Sequence, residues 1–251
     1  MKDKLATGSD FIDRYDHMIL SDAMKAMYGN SGFYNVGDWT TNPSNLETAC
    51  EALVIKHLDL VAIPQDPIMI LDAGCGLGKG SGVIAQRFGN ANVVGINISE
   101  KQISFAQEAH AGIDFQVMDA TRMEFPDEHF DLIISIEAAF HFDTRKDFLD
   151  CAYQKLRPGG QLIFSDMLLN NTEWVGSWSV PAANLITDIN DYTKLCIAAG
   201  FRLLQCNDIK NSSIKGFCNH LRNAMQLTDL ADGLENSVIA YLLTSLKKQS
   251  L

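Results

Sequence analysis

The sequence predicts a doubly wound α/β fold, a mostly parallel sheet with helices on both faces. An apolar strand at residues 68–71 ends in Asp72 and is followed by glycines at 74, 76, 78 and 80, and residues 81–88 then have helical periodicity. Strand, glycine turn and helix form the opening unit of such a sheet, whose ligands bind beyond the carboxyl ends of the strands. Further strands and helices alternate downstream, and 251 residues suffice for one large domain.

Composition and charge exclude several classes of partner. The net charge of −11 argues against nucleic acid and against anionic membrane surfaces. The chain has no apolar run near the roughly 18 residues of a membrane span, and its first residues lack the apolar core of a secretory signal. Its six cysteines show no C-x-x-C spacing and no nearby histidine pairs. We therefore expect a cytoplasmic protein with no membrane partner, no disulfide framework and no metal site.

The glycine turn fits one of two cofactor classes. The dinucleotide fingerprint G-x-G-x-x-G would need a glycine at position 79, where the chain has Lys79. The observed spacing, acid-x-G-x-G-x-G, resembles the first motif of the class I S-adenosylmethionine-dependent methyltransferases. This resemblance implies S-adenosyl-L-methionine as the cofactor, with its amino-acid end at Asp72, Ala73, Gly74 and Gly76. The alternative is a glycine-rich turn that binds nothing.

The residues before the sheet are expected to form a helical lid. Residues 11–28 have helical spacing, and a second helix is predicted from a Ser44 cap to about Val61. Residues 1–66 cannot form a core alone, so we expect them to cover the ligand crevice of the domain at 67–251. The loop from Phe33 to Trp39 resembles the aromatic loop of the sugar, sterol and cyclopropane-forming branch. That likeness implies that Tyr34 and Trp39 help to close the cofactor site; alternatively, the two aromatics only anchor the lid.

The second strand, residues 91–97, ends in Asn97, where the family usually has an acid that accepts from both ribose hydroxyls. The run Gly-Ile-Asn-Ile-Ser-Glu-Lys-Gln, ending at Gln102, resembles the small-molecule branch, in which a neutral polar residue stands here and a glutamine five residues on reaches the ribose. The resemblance implies cofactor contacts from Asn97, Ile98 and Gln102. The alternative for the two amides is solvation at the strand end. Ser99 is predicted to cap the next helix.

The third strand, residues 113–118, leads into Asp119 and Ala120. This pair resembles the adenine-binding motif of the family, in which the carboxylate accepts from the exocyclic amine and the adjoining NH meets a ring nitrogen. Residues 125–131 look like the family's turn into the fourth strand, 132–136. The polar strand ends therefore follow one another in the family's order, as expected for one ligand laid across the strand tips.

The chemistry is expected at the end of the fourth strand. A Glu-x-x-x-His run from Glu137 to His141 resembles the hydroxyl-methylating members, in which a histidine lies over the methyl group. The likeness implies cofactor contacts from Glu137 and Ala138 and a base role for His141, whose ordinary pKa near 6.5 suits that task. Alternatively, His141 caps the helix predicted from residue 144. The fifth strand, 161–166, ends in Asp166, which either orients the imidazole, binds the acceptor or is only a strand-end carboxylate.

The segment at about 167–187 corresponds to the acceptor wall of the family. Four aromatic residues would make that wall apolar, or would simply pack in the core: Phe140, Phe142, Trp174 and Trp178. After it, helices are predicted at 189–200 and 214–225, a strand at 201–206, and a last, antiparallel strand at 238–247. With these elements the expected fold is a seven-stranded Rossmann-like methyltransferase sheet.

The expected function is methyl transfer from S-adenosylmethionine to a small, apolar, hydroxyl-bearing acceptor. Nitrogen or carbon methylation is the second enzymatic possibility, and in it His141 would only shape the pocket. A protein of another class, a regulatory subunit or cyclase-like scaffold, would bind the cofactor without transferring its methyl group. The sequence specifies neither the acceptor nor the oligomeric state.

Overall fold

The computed structural model describes residues 8–63, 68–88, 92–172 and 180–249. In chain order its strands are β1 (Met69–Ala73), β2 (Asn92–Asn97), β3 (Asp114–Val117), β4 (Phe130–Ile136), β5 (Leu156–Leu169), β6 (Arg202–Asp208) and β7 (Val238–Lys247). Within these ranges they form one seven-stranded sheet in the order β3-β2-β1-β4-β5-β7-β6. β7 runs antiparallel to both of its neighbours. The predicted fold class is confirmed.

The sheet order reverses between β1 and β4, and this reversal opens a crevice at the carboxyl ends of the strands. β1 and β4 consist mostly of buried residues, as expected for parallel strands covered on both faces. In the ladders, Ala73 lies opposite Ile96 and Asp72 lies opposite Ile134. The ends of β1, β2 and β4 therefore share one border of the sheet, which we call the carboxyl edge.

Helices cover both faces of the sheet and also precede it. In chain order they are α1 (Gly8–Ile19), α2 (Asp22–Tyr28), α3 (Leu46–Leu58), α4 (Lys79–Phe88), α5 (Glu100–Ala109), α6 (Arg145–Lys155), α7 (Ile189–Ala198), α8 (Ile214–Ala224) and α9 (Thr228–Ser237). The single helix predicted over 11–28 is wrong, because the Ser21 side chain accepts from the Met24 NH at 3.2 Å and starts a second helix there. The cap of α3 is Asn45 and not Ser44, since Asn45 Oδ1 accepts from the Thr48 NH at 2.9 Å.

The N-terminal segment, residues 8–63, shares the core of the sheet. Phe33 and Leu53 belong to the same buried cluster as Ile70 of β1 and Ile134 of β4. At the far end of the segment, Gln161 donates to the Leu60 carbonyl and accepts from the Ala62 NH, both at 2.8 Å. The segment is therefore anchored to the sheet by apolar packing and by buried side-chain hydrogen bonds.

Two predicted boundaries change in the C-terminal half. β5 is longer than the predicted 161–166, because its ladder with β7 continues from Gln161 to Leu169. The expected acceptor wall at about 167–187 therefore begins inside a strand, and its predicted residues Trp174 and Trp178 lie outside the described residues. Helix α9 was not predicted from its mixed polar sequence; Ala231 and Leu234 bury its apolar side in the core.

Candidate active site

The glycine turn after β1 lies at the centre of the carboxyl edge. The NH groups of Gly74 and Cys75 both donate to the Ile96 carbonyl, at 2.9 and 3.0 Å, which joins the turn to the end of β2. Gly74 (φ +84°) and Gly76 (φ +55°) have left-handed backbone conformations that favour glycine. A Cβ on Gly74 would lie 2.6 Å from the Ala138 Cβ, so this glycine lets the turn pack on the end of β4.

Gly76 has a different environment from Gly74. The nearest heavy atom to a Cβ built there is Gln102 Oε1, at 4.0 Å. The space in front of Gly76 is therefore open to a ligand, and it is bordered by the carbonyl of a residue predicted to contact the ribose. Ala73, which is fully buried, can offer a ligand only its main chain.

Asp72 is buried at the start of the turn. Its Oδ2 accepts a 2.6 Å hydrogen bond from the Ser81 hydroxyl in the first turn of α4. Burial raises the pKa of Asp72 to about 6, although the Ser81 hydrogen bond opposes that shift. A carboxyl group in this state becomes fully ionised when a cation approaches it, and it therefore suits the ammonium group of an amino acid.

The two amides predicted to contact the ribose are hydrogen-bonded to each other. Asn97 Nδ2 donates to Gln102 Oε1 at 3.0 Å, and Asn97 Oδ1 accepts from the Ser99 NH at 3.1 Å. Ser99 caps α5 as predicted, through a 3.1 Å bond from the Gln102 NH. Ile98 beside them is 39% exposed, which leaves an apolar side chain uncovered at this edge.

A residue that the sequence analysis missed completes this group. Asp16, on α1, is only 3% exposed, and its Oδ1 accepts from the Ser99 hydroxyl at 2.6 Å and from Gln102 Nε2 at 2.9 Å. Asp16 lies more than eighty residues before its partners, and the neighbouring acid Asp13 is exposed, so no local pattern identified it.

The predicted adenine-binding pair lies after β3. Asp119 is half-buried, and its Oδ1 accepts from both the NH and the hydroxyl of Thr121, each at 2.8 Å. The Met118 NH donates to the Asn97 carbonyl at 2.9 Å, so the pair is held beside the end of β2. Ala120 is buried and offers its main chain.

Glu137 directs its carboxylate to the N-terminal loop and to β7. Glu137 Oε2 accepts from the Val36 NH at 3.0 Å and from the Tyr241 hydroxyl at 2.9 Å. The residue has a φ of +55°, and burial raises the pKa of its side chain to about 7. The expectation that Glu137 and Ala138 contact the cofactor stays a prediction, and Ala138 packs on Gly74 of the cofactor turn.

His141 lies on a 3₁₀ turn, Ala139–His141, directly after β4. Its ring meets Tyr15 of α1 edge-on, with centroids 5.6 Å apart, and also contacts Phe140 at 3.9 Å. The turn is held in place by the Asn184 amide, which donates to the carbonyls of Phe140 and Phe142. The cap of α6 is Thr144 in a capping box with Asp147, so His141 does not serve as the cap.

The prediction that Asp166 takes part in catalysis is corrected. Its carboxylate is fully buried in a two-point ion pair with Arg145, whose Nε and Nη2 donate at 2.5 and 3.1 Å. Arg145 Nη1 also donates to the Asn184 carbonyl. Asp166 therefore neither orients the imidazole nor faces an acceptor; it anchors the first turn of α6 to β5.

Three of the predicted aromatic residues also have other partners. Trp39 packs on α8, since a Cβ on Gly216 would lie 2.3 Å from its ring and the His220 ring centroid is 5.0 Å away; its Nε1 donates to the Val36 carbonyl. The cofactor contact expected from Trp39 stays a prediction, and the described partners of its ring are on α8. Phe140 is 1% exposed and belongs to the core. Tyr34 is half-buried beside Tyr28, at 5.1 Å between ring centroids.

Two further properties concern the parts of the chain that the structure describes. No group of three or more histidine, cysteine, aspartate or glutamate side chains in those parts is arranged to hold a metal ion. None of the described helices combines the length and the apolar composition that crossing a bilayer requires.

Comparison with known proteins identifies the family. A family model described as a methyltransferase domain matches residues 71–164. An O-methyltransferase from Penicillium expansum is 30% identical over 219 residues, which span 82% of this chain and 77% of that protein. The chain belongs to the S-adenosylmethionine-dependent methyltransferases. Its cofactor is S-adenosyl-L-methionine, as the motif spacing predicted.

Other relatives of the chain are named for methylation at different atoms. Phosphoethanolamine N-methyltransferase 3 from Arabidopsis thaliana is 38% identical over 134 residues, 52% of this chain but only 26% of that protein. The crystal structure of a geranyl diphosphate C-methyltransferase from Streptomyces coelicolor superposes with a TM-score of 0.74 at 14% identity, covering 97% of this chain and 100% of that one. The family is therefore that of small-molecule methyltransferases, and the relatives differ in the atom they methylate.

The residues at the carboxyl edge fit this cofactor. A buried acid of raised pKa faces the first turn of α4, open space lies in front of Gly76, and two amides border that space. S-adenosylmethionine brings a matching set of groups: an ammonium, a sulfonium and a ribose with two hydroxyls.

Proposed function

We propose that this enzyme transfers the methyl group to a hydroxyl of a small, largely apolar acceptor, with His141 as the base. The observation that carries the proposal is the position of His141. It follows β4 within three residues of Ala138, which packs on Gly74 of the cofactor turn. The main chain of His141 is thereby bonded to Ala138, and its imidazole packs against Tyr15 of α1.

Bound S-adenosylmethionine supplies a methyl group that is already strongly electrophilic. The protein then needs to align the acceptor, exclude water and accept one proton. In the proposed step, the acceptor oxygen forms a bond to the methyl carbon as the sulfur–carbon bond breaks, and the hydroxyl proton passes to the imidazole of His141. A neutral amine attacks through its lone pair before it loses a proton, so its methylation would not need this base in the bond-forming step, whereas a carbon acceptor would still have to lose a proton after it is methylated.

The N-terminal segment is proposed to act as a lid in this reaction. Tyr15 and Asp16 of α1 reach His141 and the ribose-side amides, and Val36 of the following loop reaches Glu137. Closure of such a segment would keep water from the methyl group and bring the acceptor against the imidazole. The described residues of the expected acceptor wall beyond β5, 170–172 and 180–187, are proposed to line the acceptor together with Phe142.

The relatives support oxygen over nitrogen as the acceptor atom. The O-methyltransferase of Penicillium expansum aligns across most of this chain, whereas the plant N-methyltransferase aligns over about half of it. An alignment over half of the chain gives no information on an acceptor preference that depends on the other half. Nitrogen or carbon methylation is the second candidate.

An acceptor panel tests the proposal. Purified enzyme is incubated with S-adenosylmethionine and small phenols, aliphatic alcohols, amines or isoprenoid diphosphates, and S-adenosylhomocysteine release is measured. We expect turnover with a hydroxyl acceptor, and a fall in kcat of about 10²–10⁴-fold for His141→Ala. His129→Ala, at the other end of β4, is the matched control and should keep normal activity. Turnover restricted to amines or isoprenoids, or an active His141→Ala, would contradict the proposal.

A further inference from the structure

We propose that Asp16 is a positioning residue for cofactor recognition: from α1 it orients the Gln102 amide and thereby supplies, through the lid, the acid that β2 lacks. The inference rests on the proposed roles of Asn97 and Gln102 as ribose contacts. It goes beyond them by assigning the control of these contacts to the N-terminal segment.

The hydrogen bonds that join Asp16, Gln102 and Asn97 have a defined direction. An ionised carboxylate only accepts, so Asp16 holds the Gln102 NH₂ group towards α1. Gln102 Oε1 must then face the other way, where it accepts from Asn97 Nδ2 and borders the open space at Gly76. Asn97 is fixed in turn, because its Oδ1 accepts from the Ser99 NH. The Asp16 carboxylate thus orients the Gln102 amide from its NH₂ side, and Asn97, itself fixed by the Ser99 NH, orients it from its oxygen side.

Asp16 is a buried, charged residue. Asp16 is 3% exposed and accepts two hydrogen bonds on one oxygen, while its other oxygen lies 3.9 Å from Lys101 Nζ. Removal of a buried charged acceptor leaves its former donors unpaired, which is costly. The two donors, Ser99 and Gln102, belong to α5 and its cap, so Asp16 connects the N-terminal segment to the cofactor side of the sheet.

These contacts connect α1 to the ribose side of the crevice. Ribose hydroxyls can donate to Gln102 Oε1, and the bond from the Gln102 NH₂ group to Asp16 helps to hold that oxygen at the open space in front of Gly76. Closure of α1 and recognition of the ribose are therefore coupled, and binding of the ribose should in turn stabilise α1 against the sheet.

The test compares two acids of the same helix. Asp13 lies one turn before Asp16 and is also 3.9 Å from Lys101 Nζ, but it is 76% exposed. Calorimetry with S-adenosylhomocysteine and its 2′-deoxy analogue is carried out on the wild type, Asp16→Ala, Asp16→Asn and Asp13→Ala. We expect Asp16→Ala to weaken S-adenosylhomocysteine binding by about 10-fold or more, and to lose most of the preference over the deoxy analogue. Asp16→Asn, which keeps one acceptor oxygen, should recover part of that preference, and Asp13→Ala should bind within about two-fold of the wild type.

A second measurement needs no variant. Hydrogen exchange of α1 in the wild type should slow more with S-adenosylhomocysteine than with the deoxy analogue at equal saturation. Two outcomes would overturn the role of Asp16 and leave the ribose assignment standing. One is equal protection of α1 by S-adenosylhomocysteine and by the deoxy analogue, and the other is an Asp16→Ala variant that binds both ligands as Asp13→Ala does. A wild type that binds S-adenosylhomocysteine without preferring it to the deoxy analogue overturns the ribose assignment and this inference with it. The binding assay contains no acceptor, so its outcome is independent of the base proposed at His141.

Discussion

The two sides of the cofactor crevice are built differently. On the sheet side, consecutive strand ends present main-chain groups and short polar side chains, joined by backbone bonds such as those from Gly74 and Cys75 to Ile96. The N-terminal segment packs in the shared core, but its polar contacts to the crevice are a few long-range hydrogen bonds made by single side chains. Asp16 to Gln102 and Val36 to Glu137 are examples. One side is a property of the fold, whereas the other depends on individual residues.

The same contrast separates what the family model matches from what it leaves out. The methyltransferase family model covers residues 71–164, which form the sheet side of the crevice. The N-terminal segment and the residues beyond β5 lie outside it. The cofactor is therefore a shared feature of the family, and the acceptor is expected to depend on the parts that differ. Four predictions test this division, from the largest expected effect to the smallest.

Loss of one partner of the Arg145–Asp166 ion pair should be the most damaging change. Both side chains are almost completely buried, so Asp166→Ala leaves an unpaired guanidinium in the core, and we expect the free energy of unfolding to fall by about 3–5 kcal/mol. Urea denaturation measures the effect. Asp59→Ala breaks the exposed pair with Arg87 and should change stability by less than about 0.5 kcal/mol. If Asp166→Ala lowered the free energy of unfolding as little as Asp59→Ala, Asp166 would have no structural role.

Two glycines of the cofactor turn should separate packing from binding. Gly78→Ala would bring a Cβ within 2.7 Å of Phe115 Cζ and 2.8 Å of Ala106 Cβ, at a φ of +82°. We expect a loss of about 2–3 kcal/mol in urea denaturation. Gly76→Ala meets no neighbour closer than 4.0 Å, so it should lower stability by only about 1 kcal/mol while weakening S-adenosylhomocysteine binding at least about 10-fold. Normal affinity of Gly76→Ala for S-adenosylhomocysteine would show that the ligand does not bind at this turn.

Cofactor affinity should depend on pH through Asp72. Its pKa of about 6 means that about one tenth of the free enzyme carries an ionised Asp72 at pH 5 and nearly all of it above pH 7. A bound ammonium favours the ionised form, so S-adenosylhomocysteine should bind about 10-fold more weakly at pH 5 than at pH 7.5. Calorimetry at both pH values should find this dependence in the wild type and in Glu137→Gln, and should find it lost in Asp72→Asn. A flat wild-type profile would show that the ammonium group lies elsewhere.

The smallest effect is expected at Trp39. Trp39→Phe removes the hydrogen bond from Nε1 to the Val36 carbonyl but keeps an aromatic ring against α8. Stability should fall by about 1 kcal/mol, with cofactor affinity unchanged. A clear loss of affinity for S-adenosylhomocysteine would support the cofactor role that the sequence suggested for this residue.

The sequence predicted the sheet side better than the N-terminal side for a physical reason. Strands such as β7 have continuous apolar runs, and β7 was predicted with its observed bounds, Val238–Lys247. The glycine turn and the strand-end polar residues are likewise local in sequence. In contrast, Asp16 acts on partners more than eighty residues away, and Asp166 is paired with Arg145 across two elements. Side-chain pairs of this kind produce no periodicity or spacing in the sequence, so the sequence could not predict them.

A crystal structure with S-adenosylhomocysteine tests the central claim most directly: that the carboxyl edge binds the nucleoside and that the N-terminal segment and His141 face its sulfur. We expect the ribose at Asn97 and Gln102, the adenine at Asp119, and the sulfur within about 8 Å of the His141 ring, which leaves room for one acceptor atom between them. A sulfur farther than this from His141, or a ribose away from Asn97 and Gln102, would contradict the account.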